Sequence, residues 1–263
     1  SQMCPGGILV ALLEEVQARG VFVRTSSKVV KVSSSRSADE AEGEAVDAAS
    51  ADEAEGSAED APRWVVEAED GAQIACRYVI HASNGYGIDL LPARLQAVLQ
   101  PTRGQVIAAR LPKGTAMGSV LYSCEPASNE EYLLQRRQDG VVIFGGCRHL
   151  SENKGLDSDD QRVEQHVTDR LTKELGRLFH GVQAEVINAW CGIMCFSRDR
   201  QPIVGPIKEL PGQFLSVGYT GHGMVRSFSC GQHVAEQVLG ATVSCPEIDE
   251  MFSPDRFAQT DTA

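Results

Sequence analysis

What this 263-residue chain lacks removes several classes of protein at the outset. It has no C-x-x-C pair: the eight cysteines, at 4, 76, 124, 147, 191, 195, 230 and 245, are scattered along it. Cys191 and Cys195 stand four apart without a His-rich stretch or second Cys pair to complete a zinc site, so no metal centre is expected. A chain of this length folds without disulfide staples, and the thiols are read as reduced, which places the protein inside the cell, in the cytoplasm. The longest unbroken apolar run, Ile8 to Leu13, is far too short to cross a bilayer, so no membrane segment is expected in this chain. Positive charge is scarce: 24 Lys and Arg stand against 36 Asp and Glu, a formal net charge of -12, and a nucleic-acid partner has no electrostatic support. No G-x-G-x-x-G occurs. Gly85-x-Gly87 begins like one, but Leu90 stands where the third glycine is needed.

The acidity is local. Ten acidic side chains lie between residues 37 and 62, with no Lys or Arg among them, and the rest of the chain is nearly neutral. That stretch is a tandem copy, SADEAEGEAVDAA followed by SADEAEGSAEDAP. It has little to bury and repels itself, so 33–62 is read as a disordered acidic insert between two strands of one sheet. Around it, residues 5–20 carry apolar positions at helical spacing, then Val21-Phe22-Val23 and 28–32 read as strands, and Trp64-Val65-Val66 and Ile74-Ala75-Cys76 as a hairpin about Asp70-Gly71.

Further along, 79–87 reads as a strand ending in small, turn-prone residues, 101–105 as a turn and 106–109 as a strand. Residues 132–135 and 141–144 flank Asp139-Gly140 as a hairpin, 159–179 has the stripe Val163, Val167, Leu171, Leu175 and Leu178 of a helix, and 182–190 is a strand. The chain is organised around FLSVGYTGHGMVRS at 214–227: an apolar strand, a glycine turn, and a helix beginning near Met224. The first turn of a helix leaves N–H groups unpaired and partially positive, and glycines admit a flat ligand close to the backbone. This stretch alone reads equally as a site for an anion or polarised ring edge and as an ordinary strand-to-helix connection.

Four blocks, taken in order, decide the context: VIHASNGYGIDLLP at 79–92 with PTRGQ at 101–105, YLLQRRQDGVVIFGGCR at 132–148, WCGIMCFSRDRQPIVG at 190–205, and VGYTGHGM at 217–224. With them the chain resembles the flavin-dependent oxidoreductases of the D-amino-acid oxidase and glycine oxidase family, nearest a branch related to gamma-glutamylputrescine oxidase. The resemblance implies an α/β plus antiparallel β architecture: an incomplete Rossmann-type FAD-binding domain (1–32, 63–105 and 191–240), a substrate lobe on an antiparallel sheet (106–190), and a tail (241–263). It implies FAD as cofactor and a small-molecule amine or amino acid as substrate, oxidised at a C–N bond by hydride transfer to flavin N5, usually with oxygen as acceptor. Because the family's pyrophosphate-binding G-x-G-x-x-G is absent, it also implies the carboxy-terminal portion of a longer enzyme, able to bind FAD only weakly by itself; the alternative is a silent remnant acting as a binding module.

By the same resemblance, Val29 contacts the adenine, Ser83, Asn84 and Gly85 lie along the ADP portion, and Gly218, Tyr219, Thr220, Gly221, His222, Gly223 and Met224 lie against the isoalloxazine edge. There the helix start stabilises the charge of the reduced ring. His222, Tyr132 and Arg148 are the candidate catalytic side chains, each also readable as turn or sheet packing, and Trp190 is substrate wall or core. Met194 stands where many amino-acid-oxidising members carry the Arg that pairs with the substrate carboxylate. The expected substrate is therefore an amine, or an acid held differently. Cys191 is one position from the flavin attachment site of some relatives, and an unmodified thiol is expected there and at Cys195.

Overall fold

A computed structural model describes residues 5–35, 63–115, 122–124 and 131–257, and the chain divides into two compact units, Ser1–Arg77 and Tyr78–Ala263. In the first unit, α1 (Pro5–Ala18) is followed by a three-stranded antiparallel sheet in the order β1 (Val29–Ser34), β2 (Trp64–Ala68), β3 (Gln73–Cys76). The β2–β3 turn closes where the Asp70 carboxylate accepts the Ala72 N–H at 3.1 Å and Gly71 takes φ 83°. Two expectations need correction here. Residues 21–23 are not a strand: the Val21 N–H turns back to the Val16 carbonyl, and Phe22 is exposed, with no ladder partner among the described residues. The acidic insert cannot begin at 33, because Ser33 and Ser34 are paired in β1 with Val65 and Trp64. The repeat itself lies outside the described residues.

The second unit holds a three-stranded mixed sheet and a five-stranded antiparallel sheet. In the first, β11 (Gln213–Val217) lies between β10 (Ile203–Pro206), antiparallel, and β4 (Val79–His81), parallel. The short β4 and the central β11 are pinned by a buried bond of 2.7 Å between His81 Nε2 and Gln213 Oε1. Burial pushes the His81 imidazole below its ordinary pKa, against the opposing pull of Gln213, so the folded chain holds it neutral. The unfolded chain then binds the extra proton, and stability falls as pH drops through the ordinary histidine range. Urea unfolding at pH 7.5 and pH 5 is expected to show a smaller loss on acidification in His81→Asn than in the parent protein; an equal loss would place the sensitivity elsewhere.

The five-stranded sheet runs β6 (Tyr122–Cys124), β7 (Glu131–Gln135), β8 (Val142–Gly145), β5 (Leu99–Arg110), β9 (Glu185–Ser197). One face of it packs on α3 (Gln165–Leu178), where Ile107, Leu133, Phe144, Val167, Leu171 and Leu175 form a core from which water is excluded. The long β5–β9 pair runs without a break through 105/106 and 190/191, the positions at which the sequence divides one lobe from the other. The expected turn at 101–105 is therefore strand. Pro101 is tolerated because β8 pairs only with Val106–Ala109, leaving β5 one-sided at the proline. The described part of the expected tail, 241–257, is packed onto the unit: α5 (Glu247–Phe252) seats Ile248 against α4 (Gly223–Val238), and Phe257 joins the core around Leu95 of the short α2 (Ala93–Gln96) and Leu215.

The helix expected from 159 begins at Gln165. Asp157 and Asp159 each accept a backbone N–H two residues on, which favours turns over helix. Side chains of β5 then hold the extended segment. Gln105 accepts the Glu164 N–H at 2.8 Å and donates to the Glu164 carbonyl at 3.0 Å, and Arg103 Nη1 donates to the Arg162 carbonyl at 2.8 Å. Val163 is exposed in consequence, outside the helical stripe.

Candidate active site

The strand-turn-helix forms as its sequence dictates. β11 runs apolar and buried to Val217, and the chain reverses through Gly218 (φ 72°), Thr220 (φ 52°) and Gly221 (φ 79°) before α4 begins at Gly223. Thr220 is a non-glycine residue in the left-handed region, and its surroundings hold it there. Its N–H donates to the Cys195 carbonyl at 2.8 Å, and its hydroxyl donates to the Gly218 carbonyl at 3.2 Å. Tyr219 bridges to Phe196, so the turn closes the edge of β9. The Tyr219 hydroxyl and the Ser216 hydroxyl are hydrogen-bonded at 2.6 Å behind it.

The expected ADP-side residues meet this turn. Ser83 precedes a 3-10 turn, Asn84–Tyr86, in which Asn84 takes φ 50° and its side-chain oxygen accepts the Gly218 N–H at 3.2 Å. Gly85 packs so closely on β9 that a Cβ would lie 2.8 Å from Ile193 Cγ2 and 3.0 Å from the Met194 carbonyl oxygen. Asn84, Gly85, Gly218 and Thr220 are thus gathered at the end of β9. Val29 opens β1 of the first unit, opposite Ala68.

Register places the candidate side chains of the lobe. Paired residues of an antiparallel ladder share a face and alternate residues share it along a strand. Tyr132 opposes Gly145, Gly145 opposes Val106, and Val106 opposes Trp190; Met194 and Phe196, further along β9, fall on the same face. This face is opposite to the one that packs on α3. Tyr132 lies over Gly145, where a Cβ would come within 2.9 Å of the phenol oxygen. Burial pushes the Tyr132 phenol above its ordinary pKa, so it remains a proton donor. Arg148 reaches the other end, its guanidinium carbon 5.2 Å from the centre of the Phe196 ring. Gly221 joins them, with Met194 Sδ 3.8 Å from where its Cβ would stand. Tyr132, Trp190, Met194, Phe196, Arg148 and the glycine turn therefore border one surface.

His222 immediately precedes α4, with its Nδ1 2.8 Å from the Thr220 carbonyl oxygen. A carbonyl only accepts, so Nδ1 carries the proton and Nε2 is left as the available nitrogen. No side-chain cap bond is made at the start of α4 and no acidic residue lies in its first turn; Gly221 and Met224 are exposed. An uncapped helix start beside an exposed, positive-φ glycine fits the edge of a planar group that accumulates negative charge.

Cys191 and Cys195 belong to the opposite face of β9. Cys195 is buried, and burial pushes its thiol up to about 11. Cys191 donates to the Arg162 carbonyl at 3.0 Å, and burial raises its thiol also. Sequence reasoning missed Arg103, 2% exposed, which faces Asp157 at 3.3 Å and Glu164 at 3.4 Å beneath the same strand pair. No local pattern signalled it: polar and apolar residues do not alternate through TRGQVI, and the proline before it, with Gly104, reads as a turn.

A strand, a glycine turn and an uncapped helix, beside a sheet face lined with aromatics, form an arrangement suited to the edge of a planar anionic group. The profile of the FAD dependent oxidoreductase family, DAO, matches residues 1–237, and the chain belongs to that family. It is similar to a probable oxidoreductase OrdL of Rhizobium meliloti (strain 1021), 25% identical over 174 residues, which cover 65% of this chain and 38% of that protein. Its fold is that of iminodiacetate oxidase from Chelativorans sp. BNC1 (TM-score 0.57, 20% identity, 73% of this chain and 50% of that one) and of glycine oxidase from Geobacillus kaustophilus (TM-score 0.56, 21% identity, 76% and 49%). The chain spans about half the length of these structures and less of the curated relative. Among the described residues no helix is long and apolar enough to cross a membrane, and no cluster of metal-ligating side chains occurs.

Proposed function

We propose that the protein oxidises a C–N bond of an amine or amino acid, with oxygen as the final acceptor, as a relative of the gamma-glutamylputrescine oxidase-like branch. The observation that carries this reading is the convergence of Gly218–Gly221, the uncapped start of α4 and the face bearing Tyr132, Trp190 and Met194. Bound FAD would supply the hydride acceptor, oxidising the substrate to an imine. Asn84 and Gly85 would hold the cofactor on one side of the β9 end, and the turn from Gly218 to Met224 would lie against its ring edge, with the backbone N–H groups of Gly221, Gly223 and Met224 directed to it. These groups stabilise developing negative charge without a titrating side chain. His222, with Nδ1 engaged, offers Nε2 to the ring or the substrate. Tyr132, kept protonated, orients the amine from the lobe. The two thiols turned to the other face leave the cofactor noncovalent. A panel of primary and secondary amines and amino acids, monitored for oxygen uptake with equimolar peroxide, tests the reaction. Turnover of an amino compound supports the proposal, whereas turnover confined to hydroxy acids or alcohols would overturn it.

A further inference from the structure

The glycine turn spends three of its backbone donors before α4 begins. Thr220 N–H goes to the Cys195 carbonyl at 2.8 Å and His222 N–H to the Tyr219 carbonyl at 2.9 Å. The third, Gly218 N–H, goes instead to a side chain 134 residues away in sequence, the amide oxygen of Asn84, at 3.2 Å. Gly218 is where β11 ends and the chain reverses, at φ 72°, a residue with little conformational preference of its own. Asn84 fixes its N–H, and the Thr220 hydroxyl, 3.2 Å away, fixes its carbonyl. Asn84 is itself held. It opens its 3-10 turn at φ 50°, a left-handed conformation that asparagine tolerates better than most residues. Next to it, Gly85 is wedged on Ile193 and Met194 of β9, and the Tyr86 hydroxyl donates to the Asp160 carboxylate at 2.7 Å. The side chain that grips Gly218 therefore projects from a support fastened on two further sides.

We propose that Asn84 is a positioning residue that tunes the flavin through Gly218. By holding the Gly218 N–H it sets the turn so that the unspent N–H groups of Gly221, Gly223 and Met224 converge on one cofactor edge, which raises the electron affinity of the cofactor. The proposal rests on the oxidase reading and adds how the site is tuned. Donors favour the form that carries more negative charge only when they are already in place, because a turn that must rearrange spends the gain on its own reorganisation. With the Gly218 N–H released, the peptide unit leading into the turn is free to rotate and the donors beyond it spread. Asn84 acts through the backbone and needs no contact of its own with the ring.

The test compares Asn84→Gly with Asn84→Asp in the complete gene product. Glycine keeps φ 50° without strain and removes only the amide, while aspartate keeps an oxygen acceptor for the Gly218 N–H. The first measurement is hydrogen exchange of the Gly218 amide without FAD, followed by amide-resolved NMR. Exchange is expected to be about fivefold faster in Asn84→Gly, the factor that one ordinary hydrogen bond carries, and close to the parent rate in Asn84→Asp. The second is the midpoint potential of bound FAD in a dye-equilibrated reductive titration. Asn84→Gly should lower the ratio of affinities for reduced and oxidised FAD about fivefold, which is about 20 mV for the two-electron couple. An unchanged Gly218 exchange rate in Asn84→Gly would overturn the proposal. So would a variant that binds FAD more weakly at the parent potential, because Asn84 would then only hold the cofactor. Failure of the oxidase reading shows separately: FAD bound with the expected shift but no amino compound turned over overturns that reading and supports this proposal, whereas a parent protein that takes up no FAD overturns both.

Discussion

Replacing Arg103 with leucine is expected to lower the unfolding free energy by about 3 kcal/mol, read as a drop in the urea midpoint. Arg103 is almost fully enclosed, and it balances Glu164 and Asp157 at ion-pair distance while its Nη1 donates to the Arg162 carbonyl. Removing one partner leaves two acidic groups facing apolar surface. Breaking a buried pair typically costs about 3–5 kcal/mol, and the partial exposure of Asp157 brings the figure to the lower end. Burial opposes ionisation of Glu164, yet the Glu152 N–H, the Ser151 hydroxyl and Arg103 hold its carboxyl below the ordinary value. That stabilisation is present above the unfolded carboxylate pKa and is lost as the pH falls through the folded one. The double variant Arg103→Leu with Glu164→Gln should regain part of the loss. If the single variant unfolds at the parent midpoint, residues 157–164 are not fastened by this arginine.

The second large effect is expected at Gly221. Its φ of 79° admits a side chain only with strain, about 1–2 kcal/mol for an L-residue, and more for a branched one. Met194 Sδ, at 3.8 Å, leaves ordinary contact room for a Cβ, so the turn has space for the atom itself. What a valine there would occupy is the exposed side of the turn, toward which the cofactor edge is proposed to lie. Gly221→Val is therefore expected to reduce FAD affinity by two orders of magnitude or so, with the thermal midpoint lowered by only a few degrees. FAD affinity within a factor of two or so of the parent would remove Gly221 from the cofactor edge.

The parts of this arrangement that were legible in the sequence are those written locally. Gln213–Val217 declares a buried strand, and the glycines at 218, 221 and 223 declare the turn and helix start that follow. The apolar spacing of Val167, Leu171 and Leu175 declares α3. Its beginning was not legible, because the apolar Val163 fits the helical stripe while Asx turns and the side chain of Gln105, 59 residues away, hold the chain extended. PTRGQ reads as a turn from its proline and glycine, and only the one-sided pairing of β5 makes it strand. Tyr132 and Arg148 could be named from their blocks, but that they share a face with Trp190 and Met194 depends on the register of four strands, which no local pattern specifies.

The central claim is that the turn at Gly218–Met224 holds the edge of a flavin. It is tested most directly by the visible absorbance spectrum of the protein purified as its complete gene product, before and after acid precipitation. The account predicts a yellow protein whose colour passes wholly into the supernatant, since Cys191 and Cys195 face away from the site with raised thiol pKa values. A colourless protein that takes up no added FAD would contradict it.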